Sequence, residues 1–383
     1  MAIVSVSNRE TNTRPTTTAS HIAVILHDFS SGGSERIAIR LANEWARLGR
    51  RVTLLCGTEE GAARPLVAPG VAIRACSPVT RRSPWSRLLL GWRLATLVRN
   101  HQPDIVFAPG NFHMIVLAVL GRMPFARRPT FVCKISNPMD QGDSLTILKP
   151  MLAAIIRQAV APIDMLVAMS ASLKAEAQPY TGTMPVEEIE EPILGDREIP
   201  NALPDGDGLR PLLVCVGRLE PQKDFLTAIR AFAQLDPSLG ARLVILGEGS
   251  QRARLEAEIA RLGLGHCVTL AGYVSNTRAY LDQADLLLMT SRFEGYPAVL
   301  IEALAAGLAV VATPCSPAIG EIIFSPELGI VTRSRDPSAI ADAIVAQLAK
   351  PKPSRETSAA LVARHCLGPS AAAYLQLFDR LAA

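Results

Sequence analysis

Two carboxylates, Glu294 and Glu302, stand in the run SRFEGYPAVLIEALAAG. The apolar stretch ADLLLMTS at 284–291 precedes them and reads as a strand. Gly295 and Pro297 then turn the chain, and a helix opens near Pro297. Glu294 thus falls on the loop at the strand's C-terminal end. Glu302 falls about one and a half turns into the helix. In open α/β sheets that edge is where ligands bind. Ionised carboxylates only accept hydrogen bonds, which suits the hydroxyls of a hexose and a ribose. Taken alone, the pair also reads as a solvated loop charge and an acid in a helix's first turns. Gly295, which permits close backbone approach, turns the reading towards a site.

Three glycine-bearing loops could hold an anion, each after a strand. SSGGSE at 30–35 offers the backbone N–H groups of Gly32 and Gly33 at a helix start. It has neither GxGxxG nor GK[ST], and it reads equally as a plain loop capped by Ser34. GRLEPQKDF at 217–225 sets Arg218 and Lys223 around a helix start after Gly217. A guanidinium fork, an ammonium and a helix dipole together suit a diphosphate; two solvated loop cations are the plainer account. LGEGSQR at 246–252 carries Gly247, but Arg252 stands where a dinucleotide fingerprint would need its third glycine. Arg218, Lys223, Gly247, Glu294 and Glu302 all follow strands of one parallel sheet, so they share an edge. Cations for a diphosphate and carboxylates for a ribose and a hexose describe a nucleotide-sugar pocket.

The elements that must position these residues alternate. HIAVILHDF at 21–29 is a strand, residues 35–48 a helix stopped by Gly49, and RVTLLC the next strand. DIVFAP, TFVCKIS and DMLVAMS continue the pattern at 104–109, 130–136 and 164–170. These runs are apolar throughout, as expected of strands covered on both faces. A second unit repeats the alternation from LLVCVG at 212–217, with helices over 224–234, over 252–261 and from 297. The expected fold class is α/β, two doubly wound Rossmann-like parallel sheets. The expected division is a disordered tail over 1–20, a first domain over 21–195, a linker over 196–210 and a second domain over 211–367. The helix at about 368–383 packs back on the first domain.

Bulk composition narrows the function. At 383 residues the chain exceeds one ordinary core. Hydrophobic content of 49% with 19% charged residues is globular. A net charge of +4 from 39 basic and 35 acidic residues lacks the basic footprint of a nucleic-acid protein. Seven cysteines with no CxxC pair read as buried free thiols in a reducing compartment. The six histidines show no metal-ligand spacing, so no metal is expected. The polar N-terminus has no apolar run for an export signal, and no run is long enough to span a membrane. A cytoplasmic chain is expected. The stretch over 80–100 combines five Arg with Trp85, Leu88, Leu89 and Trp92 at helical spacing. It reads either as a helix packed on the first sheet with snorkelling Arg, or as a surface helix that meets anionic lipid.

The sequences VGRLEPQKDF, LVILGEG, TLAGYVSN, ADLLLMTSRFEGYPAVLIEALAAGLAVVAT and GEII closely resemble the retaining glycosyltransferases of family 4. The resemblance covers about 212–323. GGSERIAIRLANEWARLGRRVTLL and DMLVAMSASLKAE resemble the family more loosely. It implies the GT-B architecture of two facing Rossmann-like domains. It implies that Arg218 and Lys223 bind the diphosphate of a UDP- or GDP-sugar, Glu302 the ribose, and Glu294 the hexose. Backbone around Gly272, Tyr273 and Val274 would hold the base. Gly32 and Gly33 would approach the diphosphate or the acceptor from the other domain. Family members usually need no metal or cofactor and retain the anomeric configuration.

Many members carry a catalytic His after the fourth strand; PGNFHMIV offers Asn111 and His113 there, with a helix or core role open for His113. Lys134, Ser136 and Asn137 resemble a loop that some members use near the sugar. IEEPILG stands where members carry an Asn before the second domain. The expected reaction moves a hexose from the nucleotide sugar to a saccharide or polyprenol-linked acceptor, with peripheral contact at the inner membrane surface. The alternatives are a nucleotide-sugar epimerase of the same architecture and a non-catalytic sugar-binding protein.

Overall fold

The computed structural model describes residues 18–30, 32–139, 149–195, 210–274 and 276–383, with Arg355 described by its backbone alone. Most of the expected tail and of the expected linker lies outside the described residues. The first half runs β1 (His21–Leu26), α1 (Gly33–Arg47), β2 (Arg51–Cys56), β3 (Ala72–Ala75), α2 (Ser86–His101), β4 (Ile105–Ala108) and α3 (Met114–Leu120). It continues with β5 (Thr130–Ile135), α4 (Lys149–Val160), β6 (Met165–Ala168), α5 (Ala171–Thr181) and β7 (Val186–Glu188). All its strand pairs are parallel, in the order β3-β2-β1-β4-β5-β6-β7. β1, β4 and most of β5 are buried residue by residue, which explains their unbroken apolar runs.

The second half runs β8 (Leu212–Val216), α6 (Phe225–Phe232), β9 (Arg242–Leu246), α7 (Arg252–Arg261), β10 (Val268–Gly272), α8 (Arg278–Leu281) and β11 (Leu286–Met289). Then come α9 (Ala298–Ala305), β12 (Ala309–Ala312), α10 (Ile319–Ile322), β13 (Gly329–Val331), α11 (Pro337–Leu348), α12 (Arg355–Arg364) and α13 (Leu367–Ala382). Its order is β10-β9-β8-β11-β12-β13, again all parallel. Strand order reverses between β1 and β4 in one sheet and between β8 and β11 in the other. Those two switch points are where an open α/β sheet leaves a crevice.

α1 turns Ala38, Ile39, Leu41, Ala42 and Trp45 to the core at helical spacing and ends at Gly49, whose φ is +88°. Its N-cap is Gly32, without a side-chain bond; the expected cap Ser34 falls inside the first turn. α13 returns to this first sheet. The Trp45 ring meets Phe378 edge-on at 5.2 Å, and its Nε1 donates to the Ala371 carbonyl at 3.1 Å. Phe107 and Tyr374 complete the aromatic cluster at 5.3 Å. The chain crosses between the sheets twice. The two crossings lie side by side, with Leu194 bridged to Cys366 and its N–H donating to His365 at 3.0 Å. All seven cysteines are free, and six are buried.

Candidate active site between the two sheets

The loops after β8 and β11 flank the switch point of the second sheet, and they are knitted together. Gln222 donates through Nε2 to the Phe293 carbonyl at 3.0 Å, and the Arg292 N–H donates to the Gln222 carbonyl at 2.8 Å. Thr290 donates to the Asp224 carbonyl at 3.0 Å. Asp224 takes a left-handed conformation, φ +49°, at the start of α6.

This framework brings Lys223 and Glu294 into contact. The ammonium meets Glu294 Oε1 at 2.6 Å, and the Ser291 hydroxyl donates to the same oxygen at 2.6 Å. Glu294 is 8% exposed, and its N–H is held by the Cys315 carbonyl at 2.7 Å. A carboxylate so held is fixed in direction before any ligand arrives.

Glycine is required beneath the pair. Gly217 (φ +153°) and Gly247 (φ +144°) pack backbone to backbone; a Cβ on Gly247 would stand 1.9 Å from the Gly217 carbonyl oxygen. The Lys223 stem lies over Gly217, where a Cβ would come within 3.0 Å of its Cε. Arg218 is exposed beside this pair, on the same loop. Glu220, of that loop too, accepts from the Ser250 hydroxyl at 2.7 Å and so ties the β8 loop to the β9 loop.

The other expected residues are spread along the same edge. Glu302 sits half-buried in α9. Tyr273 is 65% exposed beyond β10, and Val274 packs partly on the core under β8 and β11. Arg252 opens α7, its guanidinium engaging Glu248 at 2.6 Å and Glu256 at 3.1 Å. The residue that breaks the dinucleotide fingerprint is therefore committed to its own helix.

The first domain supplies a wall. Gly32 and Gly33 start α1, and the Glu35 carboxylate folds back across Gly32, where a Cβ would meet it at 2.3 Å. Arg82 holds both Glu35, at 2.9 Å, and Asp28, at 2.5 Å. Burial alone would raise the Asp28 carboxyl, yet Arg82 and the Ser30 N–H bring it down to about 2. The helix start is thus already faced by a carboxylate of its own.

Asn111 stitches the loops after β4 and β5. Its Oδ1 accepts from the Ser136 N–H at 2.7 Å, and its Nδ2 donates to the Asn137 carbonyl at 2.8 Å. That stitch carries the cross-domain contact, since a Cβ on Gly295 would stand 2.0 Å from the Ser136 carbonyl oxygen. The loop bearing Glu294 therefore touches the first domain directly. A second bridge runs from the backbone N–H of Ser172, at the start of α5, to Glu321 at 2.7 Å.

The structure places two of the candidate residues in the interior. His113 lies in the interior, 1% exposed against Phe112, with neither ring nitrogen reaching a partner. Desolvation, assisted by His27 and Arg82, pulls it down to about 3. The ring is therefore held neutral and shielded from solvent in this structure. Lys134 is fully buried, its ammonium between the two Glu191 oxygens at 2.6 and 2.7 Å. It anchors the crossing segment rather than facing a sugar. Sequence reading missed Ser291, Tyr296, Glu191 and His365. Only Tyr296 carried a signal, being the aromatic beside Gly295.

Comparison with known proteins agrees with this geometry. The glycosyl transferase 4-like domain matches residues 32–188, and glycosyl transferases group 1 matches residues 210–350. The N-acetylgalactosamine-N,N'-diacetylbacillosaminyl-diphospho-undecaprenol 4-alpha-N-acetylgalactosaminyltransferase of Campylobacter jejuni is 38% identical over 119 residues, 31% of this chain and 32% of that protein. At 38% identity the chain spans a third or less of the curated relatives it matches. The lipopolysaccharide core biosynthesis glycosyltransferase LpsE of Rhizobium meliloti is 24% identical over 75% of this chain and 77% of its own length. Among solved structures, Anabaena HepE in complex with UDP and glucose superposes with a TM-score of 0.70 at 16% identity, covering 94% of this chain and 97% of that one. WaaG, a glycosyltransferase of lipopolysaccharide biosynthesis, superposes at 0.68 and 19% identity, covering 93% and 95%. With both halves matched and both sheets in place, the chain belongs to the glycosyl transferases of group 1, built on the GT-B architecture.

Proposed function

We propose that this protein transfers a hexose, with retention, from a nucleoside diphosphate sugar to a hydroxyl of a lipid-linked saccharide. The observation that carries the reading is the Lys223–Glu294 contact at the β8/β11 switch point, 2.6 Å across and backed by Ser291. In the ligand-free site the carboxylate neutralises the ammonium. An arriving diphosphate supplies Lys223 with a stronger partner, and Glu294, still held by Ser291, offers its freed acceptor sites to the hexose hydroxyls. Lys223, exposed Arg218 and the N–H groups at the start of α6 then face the charge that develops as the diphosphate leaves. The acceptor hydroxyl attacks the face from which the diphosphate departs and gives its proton to the leaving phosphate. That route asks for no protein base, which fits an interior His113. An epimerase would need proton-transfer groups in the crevice that His113 does not supply.

The UDP complex of a structural neighbour supports a UDP-sugar, with a GDP-sugar as the other donor to try. The named activities of the Campylobacter and Rhizobium relatives support an undecaprenyl-diphosphate or lipopolysaccharide acceptor. α2 supports a membrane-peripheral enzyme: Trp85 and Trp92 are 74% and 62% exposed, with Leu88 and Leu89 also exposed between them. Residues 77–103 hold five Arg and no Asp or Glu, a composition suited to an anionic lipid surface. Incubation with labelled UDP- and GDP-sugars tests the reaction. Sugar transfer or hydrolysis that Lys223→Ala lowers about a hundredfold or more is expected. Turnover in that variant at the wild-type rate, or isomerised sugar as product, overturns the reading.

A further inference from the structure

The loop that carries Glu294 is joined to both interdomain crossings by polar contacts that the transfer chemistry leaves unused. Tyr296, two residues after Glu294, is pushed up by burial, so its hydroxyl stays protonated. It lies 2.9 Å from His365 Nε2. The other ring nitrogen, Nδ1, lies 3.1 Å from the Glu191 carbonyl. A carbonyl only accepts, so Nδ1 carries the proton and Nε2 accepts from Tyr296. Burial lowers His365, which keeps the ring neutral in that tautomer. The Glu191 side chain in turn takes the buried Lys134 ammonium at 2.6 and 2.7 Å. Lys134 lies on β5, two residues before Ser136, whose carbonyl is the atom packed against Gly295.

The contacts therefore close on themselves, from Tyr296 to His365, to Glu191, to Lys134, along β5 to Ser136, and across to Gly295. His365 belongs to the second crossing of the chain between sheets and Glu191 to the first. The Tyr296 ring also packs beside Ala168, Met169 and Leu173 of the first domain. Each of these groups is buried or half-buried, so none of the bonds is cheaply replaced by water.

We propose that Tyr296 and His365 are positioning residues: their hydrogen bond locks the Glu294 loop to the interdomain crossings, so the arrangement of the two domains bears on where that loop presents Glu294. This rests on the reading of Glu294 as a sugar-contacting group. It adds a coupling between domain arrangement and the aim of that carboxylate.

The test is Tyr296→Phe, which keeps the ring packing and removes only the hydroxyl. Hydrogen exchange over residues 292–297 of the ligand-free protein should accelerate about three- to tenfold in the variant, with distant strands unchanged. Turnover of the labelled sugar donor should lose about three- to tenfold in kcat with its KM nearly unchanged. His365→Gln, whose amide can accept from Tyr296, should recover part of the loop protection that His365→Leu forfeits. Adding Tyr296→Phe to His365→Leu should cost nothing further, because the bond is already gone. Wild-type exchange and wild-type kcat in Tyr296→Phe overturn the proposal, as does additive loss in the double variant. The exchange readout needs no turnover, so an inactive wild-type protein would refute sugar transfer while leaving the loop lock to be judged on its own.

Discussion

Lys223 and Glu294 are 71 residues apart, and their meeting was legible because parallel neighbouring strands put their following loops on one edge. What could not be read was the direct contact between them, which depends on how the Gln222 side chain and backbone tie to the Phe293 carbonyl and the Arg292 N–H. Glu294→Gln keeps the shape and removes the charge. It should lower sugar turnover by about ten- to a hundredfold with the melting temperature nearly unchanged, as measured by steady-state kinetics beside calorimetry. The opposite pattern belongs to Lys134, where loss of the ammonium leaves Glu191 buried and unpaired. Lys134→Met should cost about 3–5 kcal/mol in denaturant unfolding. The family likeness of the KISNP loop drew Lys134 towards the sugar, and nothing local reveals a partner 57 residues on. For His113 the signal was present in its apolar neighbours. With its pKa lowered to about 3 in the fold against ~6.5 unfolded, the unfolded chain alone takes the proton between those values. Stability should therefore fall as pH drops through that window, and His113→Phe should flatten that limb in urea midpoints measured against pH.

At the scale of elements, the strands announced themselves as apolar runs and the helices by their caps and stops, because both sheet faces are covered. The glycine loops were harder. Gly247 looked like half of a dinucleotide fingerprint, whereas it is needed for the close packing of the β8 and β9 loop ends. Gly247→Ala would drive a Cβ against the Gly217 carbonyl at a φ of +144° and should destabilise the protein by about 1–3 kcal/mol. Thermal unfolding reads it. For α2 the sequence left two accounts open: Leu90, Leu94, Ala95 and Val98 pack inward, as the first requires, while Trp85 and Trp92 face out and the lipid contact stays a proposal. Trp45, the third tryptophan, is fully buried, so emission changes on adding vesicles report on α2. Vesicles rich in phosphatidylglycerol should blue-shift that emission, neutral phosphatidylcholine vesicles should not, and the Trp85→Ala/Trp92→Ala variant should bind at least about tenfold more weakly. Equal behaviour on both vesicle types would contradict the membrane assignment.

The whole molecule is two parallel sheets joined by paired crossings, with α13 sealing the first core against Trp45 and Phe107. Its docking ties the C-terminal end of the chain to the domain it leaves early on, as the Ala19 N–H to Asp379 bond at 2.9 Å also shows. The arrangement brings Ser136, Asn137 and Asn111 of the first sheet, through Gly295, to the edge of the second sheet where the proposed donor site lies. The central claim is that the switch point of the second sheet, with Lys223 and Glu294 in contact, holds a nucleoside diphosphate. Titration calorimetry with UDP and with GDP addresses it most directly. The wild-type protein should bind one of the two saturably, and Lys223→Ala should weaken that binding by about tenfold or more while leaving the fold intact. Binding of neither nucleotide, or equal affinity in the variant, would contradict the account.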